Sequence, residues 1–263
     1  MAERLIGLAG DWHGDTRWAV HSLERFATNG ATTIHHVGDF GFWPGRAGTA
    51  YASAVSTALQ RLGLSLAVTP GNHEDYSFLQ GLESEERSNE FGMVPYAFAC
   101  IAVLPRGHRW THTAGSSSRT FVSLGGSASV DLNDRIPGLS WWPEEAISDH
   151  DVERTIAGGR ADVMLCHDSP EPATPAVTRI LAGNPLGWPQ DALRYAASIR
   201  SRLTQAVEMV RPEVLVHGHY HVWDHALVPR ADGGAIEMVS LDCERSPGNL
   251  ALLDLVELTV RRL

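Results

Sequence analysis

Val214-Leu215-Val216-His217-Gly218-His219-Tyr220-His221 is the stretch on which the fold turns. Its three apolar residues read as a short buried strand, and three histidines crowd the loop that follows. Open α/β sheets bind their ligands outside the carboxyl ends of their strands. Imidazole is also the commonest metal-binding side chain. What matters next is which other strand ends carry donors that complete a metal site with these histidines.

Working outward, the same pattern recurs. Leu5–Ala9 reads as a strand leading into Asp11 and His13, and Thr32–Val37 as a strand ending in Gly38-Asp39. Leu64–Val68 leads into Gly71-Asn72-His73-Glu74, and Asp162–Cys166 into His167-Asp168. Between these runs, Thr16–Phe26, Tyr51–Leu62 and Asp191–Val210 have helical spacing. Strand, loop, helix, strand, repeated, predicts βαβ units in an α/β fold. Ala97–Val103 and Arg119–Leu124 read as further strands separated by a polar Ser- and His-rich loop. Pro143 is expected to open an acidic helix, and the proline-rich stretch from Ser169 to Pro189 to form a loop. Val222–Val228, Ala235–Leu241 and Leu250–Val260 alternate like late strands. No repeat or linker divides the chain, so residues 1–263 are expected to form one domain.

Composition narrows the function classes. The net charge of −10 argues against an extended, phosphate-neutralising nucleic-acid surface. There is no run of about 18 apolar residues that would span a membrane. Met1-Ala2-Glu3-Arg4 leads straight into a strand, unlike a signal peptide, and Cys100, Cys166 and Cys243 are too few and too scattered for a disulfide framework. A cytoplasmic location is expected. All 21 basic residues are arginine, so no lysine is present to act as a Schiff base or general base.

Taken in order, the strand-end residues are Asp11-x-His13, Gly38-Asp39, Gly71-Asn72-His73-Glu74, His167 and Gly218-His219-x-His221. This series resembles the signature of the calcineurin-like metallophosphoesterase superfamily, and its elements span most of the chain. The resemblance implies a four-layer α-β-β-α sandwich that holds two divalent metal ions. It implies that Asp11, His13 and His221 bind one ion, that Asn72, His167 and His219 bind the other, and that Asp39 bridges them. A mixed nitrogen and oxygen donor set suits manganese, with iron, zinc or nickel as alternatives, better than calcium or magnesium. Two such ions can ionise a bridging water for in-line attack at phosphorus. His73, beside Asn72 but outside the ligand set, is implied to contact a phosphate oxygen or protonate the leaving group. His217 falls outside the Gly-His-x-His frame and reads as a supporting residue, and Cys166 as a buried structural thiol on the opposite strand face.

The second block departs from the phosphoprotein phosphatase branch, which carries G-D-x-x-D-R-G where this chain has Gly38-Asp39-Phe40-Gly41-Phe42-Trp43-Pro44. The missing Asp and Arg weaken a dedicated Ser/Thr phosphatase reading, and the Gly218-His219-x-His221 ending favours a likeness to the smaller bacterial and phage phosphodiesterase-like enzymes. Phe42 and Trp43 are candidates for stacking a nucleobase, or alternatively a hydrophobic plug under the loop. Arg135, within a segment from Gly126 to Glu145, is a candidate phosphate grip or a surface ion pair. The expected function is a binuclear metal-dependent phosphodiesterase acting on a phosphorylated small molecule of nucleotide type. The alternatives are a phosphomonoesterase, including action on phosphoproteins, or a non-catalytic scaffold of the same fold, which has no need of a full ligand set.

Overall fold

The computed structural model describes residues 4–82, 87–98, 100–230 and 232–263. Strand β1 (Leu5–Ala9) is followed by α1 (Thr16–Thr28), β2 (Thr33–His36), α2 (Gly45–Leu62), β3 (Ser65–Val68) and the short α3 (Tyr76–Gly81). Then come β4 (Arg87–Asn89), β5 (Gly92–Val94), β6 (Tyr96–Ala97), β7 (Ile101–Val103), β8 (Arg109–Ala114) and β9 (Ser117–Leu124). The second half adds α4 (Asp149–Ala157), β10 (Val163–Cys166), α5 (Pro175–Gly183), α6 (Gln190–Val210) and β11 (Val214–His217). Four last strands close the chain: β12 (Asp224–Pro229), β13 (Ala235–Ser240), β14 (Leu250–Asp254) and β15 (Thr259–Arg262).

Period-2 alternation sorts these strands into layers. A seven-stranded sheet runs β15-β14-β1-β2-β3-β7-β6, and a six-stranded sheet runs β12-β13-β11-β10-β9-β8. Ile6 and Leu8 of one sheet meet Val163, Leu165, Val214 and Val216 of the other in a shared core. Ala9, Ile34 and Leu66 face outward instead, under Leu23 and Phe26 of α1 and Val55 and Leu59 of α2. Met164, Cys166 and Leu215 likewise face Ile199, Leu203 and Val207 of α6. The result is helix, sheet, sheet, helix. Because β1, β2 and β3 run parallel, as do β9, β10 and β11, their carboxyl ends open together along one edge. That edge carries the strand-end donors.

Several elements differ from the sequence expectation, each for a local reason. β8 lies inside the stretch expected as a polar loop. Its inward residues are Trp110, His112 and Ala114, so a histidine breaks the apolar alternation. α2 starts at Gly45 rather than Tyr51, because Gly45-Arg46-Ala47-Gly48-Thr49-Ala50 has no large apolar side chain to reveal its period. Pro143 opens only a short 3-10 turn. The helix begins at Asp149, where Ser148 and Asp151 form a reciprocal capping box. The expected loop from Ser169 to Pro189 contains α5, with Pro175 in its first turn. The expected strand Ala97–Val103 is two strands, β6 and β7, and Ala99 lies outside the described residues. Leu250–Val260 also divides, into β14 and β15 joined by a turn. Among the described residues no helix is long and apolar enough to cross a membrane.

His35 shows what the core asks of a polar group. It is 0% exposed, and its Nε2 lies 2.9 Å from Nε2 of His112 between the sheets. Burial and the neighbouring His112 hold its pKa well below 6.5. His35 is therefore neutral when folded, while the unfolded chain takes up a proton below about pH 6.5. The stability due to neutral His35 is present above that pH and is lost as pH falls, at up to about 1.4 kcal/mol per pH unit. In urea titrations, wild type should lose more stability than His35→Leu between about pH 8 and about pH 5. Equal losses would mean that this imidazole carries no proton linkage.

Candidate metal centre

Each donor sits in the first residues after a strand. Asp11 and His13 follow β1, Asp39 follows β2, and Asn72 and His73 follow β3. His167 follows β10, while His219 and His221 follow β11. Five of these residues occupy the left-handed backbone region: Asp11 (φ 50°), His13 (43°), Asp39 (53°), His219 (71°) and His221 (49°). For side chains other than glycine that conformation costs about 1–2 kcal/mol each. Cross-loop bonds hold it in place: Asp11 N–H to Gly38 O at 2.8 Å, His13 N–H to Asp39 O at 2.9 Å, and His219 N–H to Asp11 Oδ1 at 3.0 Å. Two glycines make room for the carboxylates. A Cβ on Gly71 would overlap Asp39 Oδ1, and one on Gly218 would overlap Asp11 Oδ2.

Two donor clusters result. One ligand atom each from Asp11, His13 and His221 lie within 4.8 Å of one another, and so do those from Asp39, His167 and His219. Asp39 joins the two, with Oδ2 at 3.5 Å from His13 Nε2 and 3.3 Å from His167 Nε2. Asn72 Oδ1 approaches His167 Nε2 at 3.1 Å. The Nδ1 of His167 faces the Val37 carbonyl at 2.8 Å and must donate to it. Its Nε2 lone pair therefore meets Asp39 Oδ2 and Asn72 Oδ1, acceptor against acceptor. Only a proton or a cation satisfies that point, so the residues fit a metal ion.

The electrostatics agree. Burial opposes ionisation of Asp39, yet His167, His73 and His13 hold its carboxyl well below the usual range. Burial alone would lower His13, but Asp39 and Asp11 push it up to about 10. His167 is likewise pushed up to about 9, against burial, by Asp39 and Asp11. His219 is held well below 6.5 by burial and by His167 beside it. Strong perturbations of this kind gather at functional sites.

A further set of residues orients the ligating rings. His13 Nδ1 lies 2.8 Å from Glu244 Oε2. His219 Nε2 lies 3.1 Å from Ser127 Oγ, which donates to Asp168 Oδ2 at 3.0 Å. Tyr220 OH donates to Asp168 Oδ1 at 2.7 Å. Second partners of this kind fix which ring nitrogen is free to bind. Sequence reasoning missed Glu244, Ser127 and the role of Asp168. The available signal was that Asp168 and Glu244 also sit just beyond strand ends. His217 is fully buried with Nδ1 at 3.0 Å from Gly218 O, and burial chiefly lowers its pKa to about 4. It is not among the clustered donors.

His73 lies at the rim of this centre. Its backbone N–H donates to Asp39 Oδ1 at 2.9 Å, and its Nε2 is 3.9 Å from Asp39 Oδ2. Arg135 is gripped by both oxygens of Asp131, each at 2.7 Å, and its Nη2 lies 3.3 Å from His73 Nε2. It is thus an ion pair and a neighbour of His73 at once. The two candidate aromatics separate. Phe42 is 2% exposed and packs on Phe40 and Phe78, so its ring is the plug under the loop and does not face a ligand. Trp43 is 42% exposed, and its Nε1 donates to His73 O at 3.1 Å. Glu74 fixes this division by accepting the N–H groups of Phe40, Gly41 and Phe42 at 2.7, 3.2 and 2.9 Å. Trp43, Arg135, Leu139 and Trp142 wall a cleft of about 470 Å³ that reaches His13 and His73. A larger cleft of about 550 Å³, beside α3, contains none of the clustered donors, and its Arg106 is committed to the carbonyls of Gly125, Glu144, Glu145 and Ala146.

Comparison with known proteins gives two kinds of likeness. Residues 5–223 match a family model described as calcineurin-like phosphoesterase. A solved protein of Thermus thermophilus is similar over 99% of this chain and 98% of its own, with TM-score 0.58 and 12% identity. A dimetal phosphatase from Danio rerio is similar over 97% of this chain and 93% of its own, with TM-score 0.56 and 12% identity. At that identity the structural likeness speaks for the fold alone. No curated protein matches the chain.

Proposed function

Because this chain belongs to the calcineurin-like phosphoesterase family, we propose that it is a binuclear metal-dependent phosphodiesterase acting on nucleotide-type substrates. The observation that carries this reading is the junction of two donor clusters at Asp39, beside a cleft walled by Trp43 and Arg135. Asp11, His13 and His221 would hold one divalent ion, and Asn72, His167 and His219 the other, with Asp39 shared. When bound, such ions supply Lewis-acid stabilisation of phosphoryl charge and acidify water. The solved relative from Danio rerio that is described as a dimetal phosphatase supports a two-ion reading of the same fold.

The chain's own residues supply the rest. Glu244 and Val37 orient His13 and His167 through their Nδ1 atoms, leaving Nε2 turned toward Asp39. Arg135 Nη2 donates to His73 Nε2 at 3.3 Å; once that donor turns to a phosphate oxygen, a protonated His73 would deliver its Nε2 proton to a departing alkoxide oxygen. Arg135, planar and always charged, donates to Asp131, Ser140 O and His73 Nε2 and keeps one Nη1 N–H, which would hold a phosphate oxygen at the mouth of the cleft. Trp43, Leu139 and Trp142 offer an apolar wall for the base of a nucleoside.

The test is a substrate panel. Full-length protein with Mn²⁺ should hydrolyse bis-p-nitrophenyl phosphate and lose that activity in chelator. Nucleoside diesters, including 2′,3′- and 3′,5′-cyclic nucleotides, should be turned over faster than p-nitrophenyl phosphate. Faster turnover of monoesters would move the assignment to a phosphomonoesterase. No turnover of any phosphoester, with several metals, would leave a non-catalytic scaffold.

A further inference from the structure

The segment from Gly126 to Glu145 runs from the end of β9 toward α4. Its two ends meet in a buried chain of hydrogen bonds that the reaction outlined above does not use. Ser129 is 1% exposed and Glu145 is 0% exposed. Glu145 Oε1 accepts the Ser129 N–H at 2.7 Å, and Oε2 accepts the Ser129 hydroxyl at 2.6 Å. Tyr195 OH donates to Oε1 at 3.3 Å. With its hydroxyl proton given to Glu145, Ser129 Oγ offers only lone pairs to its remaining neighbour. That neighbour is Asn72 Nδ2, which donates to it at 3.0 Å.

An amide that donates at one end presents its oxygen at the other. Asn72 Oδ1 accordingly faces His167 Nε2 at 3.1 Å, on the side of the Asp39, His167 and His219 cluster. The flipped amide would set Oδ1 against a serine oxygen with no proton to give. It would also turn two N–H donors toward the point where a cation is to be held. An amide nitrogen is no metal ligand here; its oxygen is.

We propose that Ser129 and Glu145 are positioning residues that lock the Asn72 amide with its oxygen inward, and that the 126–145 segment thereby completes one divalent-cation site. This rests on the reading of Asn72 as a ligand. Metal affinity and amide orientation test it, both independently of turnover. Metal-stripped full-length protein is titrated calorimetrically with Mn²⁺, comparing wild type with Asn72→Ala, Ser129→Ala and Glu145→Gln. Ser129→Ala and Glu145→Gln should each weaken one of the two Mn²⁺ sites by about 10- to 100-fold and leave the other unchanged. In ¹⁵N spectra of the metal-free protein, the Asn72 side-chain NH₂ signals, identified by their loss in Asn72→Ala, should be protected from exchange. That protection should vanish in Ser129→Ala. If Glu145→Gln fails to fold, Ser129→Ala decides alone. Weakened binding in Asn72→Ala with wild-type binding in the other two variants would overturn the positioning role. Unchanged binding in Asn72→Ala would overturn the ligand reading, and the positioning role with it.

Discussion

Asp39→Asn is expected to strip both ions and abolish turnover, with the fold intact. The side chain keeps its size, so the buried site loses charge and one oxygen donor rather than volume. In the wild type, Asp39 Oδ2 serves His13 and His167 together, at 3.5 and 3.3 Å. Asparagine offers one oxygen, and its NH₂ would face whichever cluster that oxygen leaves. Removing one member of a buried charge set costs ~3–5 kcal/mol, which is on the order of 10²–10⁴-fold in affinity. Metal content by elemental analysis should fall for both ions, and the rate should fall at least as far. Near-normal metal content with near-normal rate would refute the shared-carboxylate assignment. Loss of a single ion would place Asp39 in one cluster only.

His73→Ala is expected to separate binding from chemistry. The His73 ring is not among the clustered donors, so the variant should retain both ions. A positioned general acid contributes about 10²–10⁴-fold. The loss should depend on the leaving group. A nucleoside alkoxide needs a proton, so diesters of that kind should slow by about 10²–10⁴-fold. Nitrophenolate leaves without one, so bis-p-nitrophenyl phosphate should slow far less. Equal loss on both substrates would recast His73 as a contact to phosphoryl oxygen. Loss of metal would bring it into the ligand set.

How much of this was legible in the sequence follows from how far each residue acts along the chain. Asp11-x-His13 and Asn72-His73 advertise themselves because a strand end delivers neighbouring residues to one place. The βαβ order followed from short apolar runs such as Leu5–Ala9 and Val214–Val216 that read as buried strands. The layers were implied only by the family resemblance, because strands buried on both faces show no alternation. Glu244 did not show, since it lies 231 residues from His13 and nothing local marks it. Ser129 and Glu145 are similarly silent, being ordinary residues whose meaning comes only from the amide between them and His167. β8 hid because His112 occupies an inward position that the alternation rule reserves for apolar side chains. Phe42 and Trp43 were indistinguishable by type. Glu74, gripping the backbone just before Trp43, decides which ring is buried and which faces the cleft.

The donors come from both sheets. Asp11, His13, Asp39 and Asn72 leave the sheet of β1, while His167, His219 and His221 leave the sheet of β11. The contacts of Asp39 with His167 and of Asp11 with His219 therefore rivet the two halves of the sandwich along one seam. An ion held there would be a mechanical cross-tie as well as a reagent. Parting the sheets and releasing the ions would be a single event, so chelation and heating would pull at the same joint.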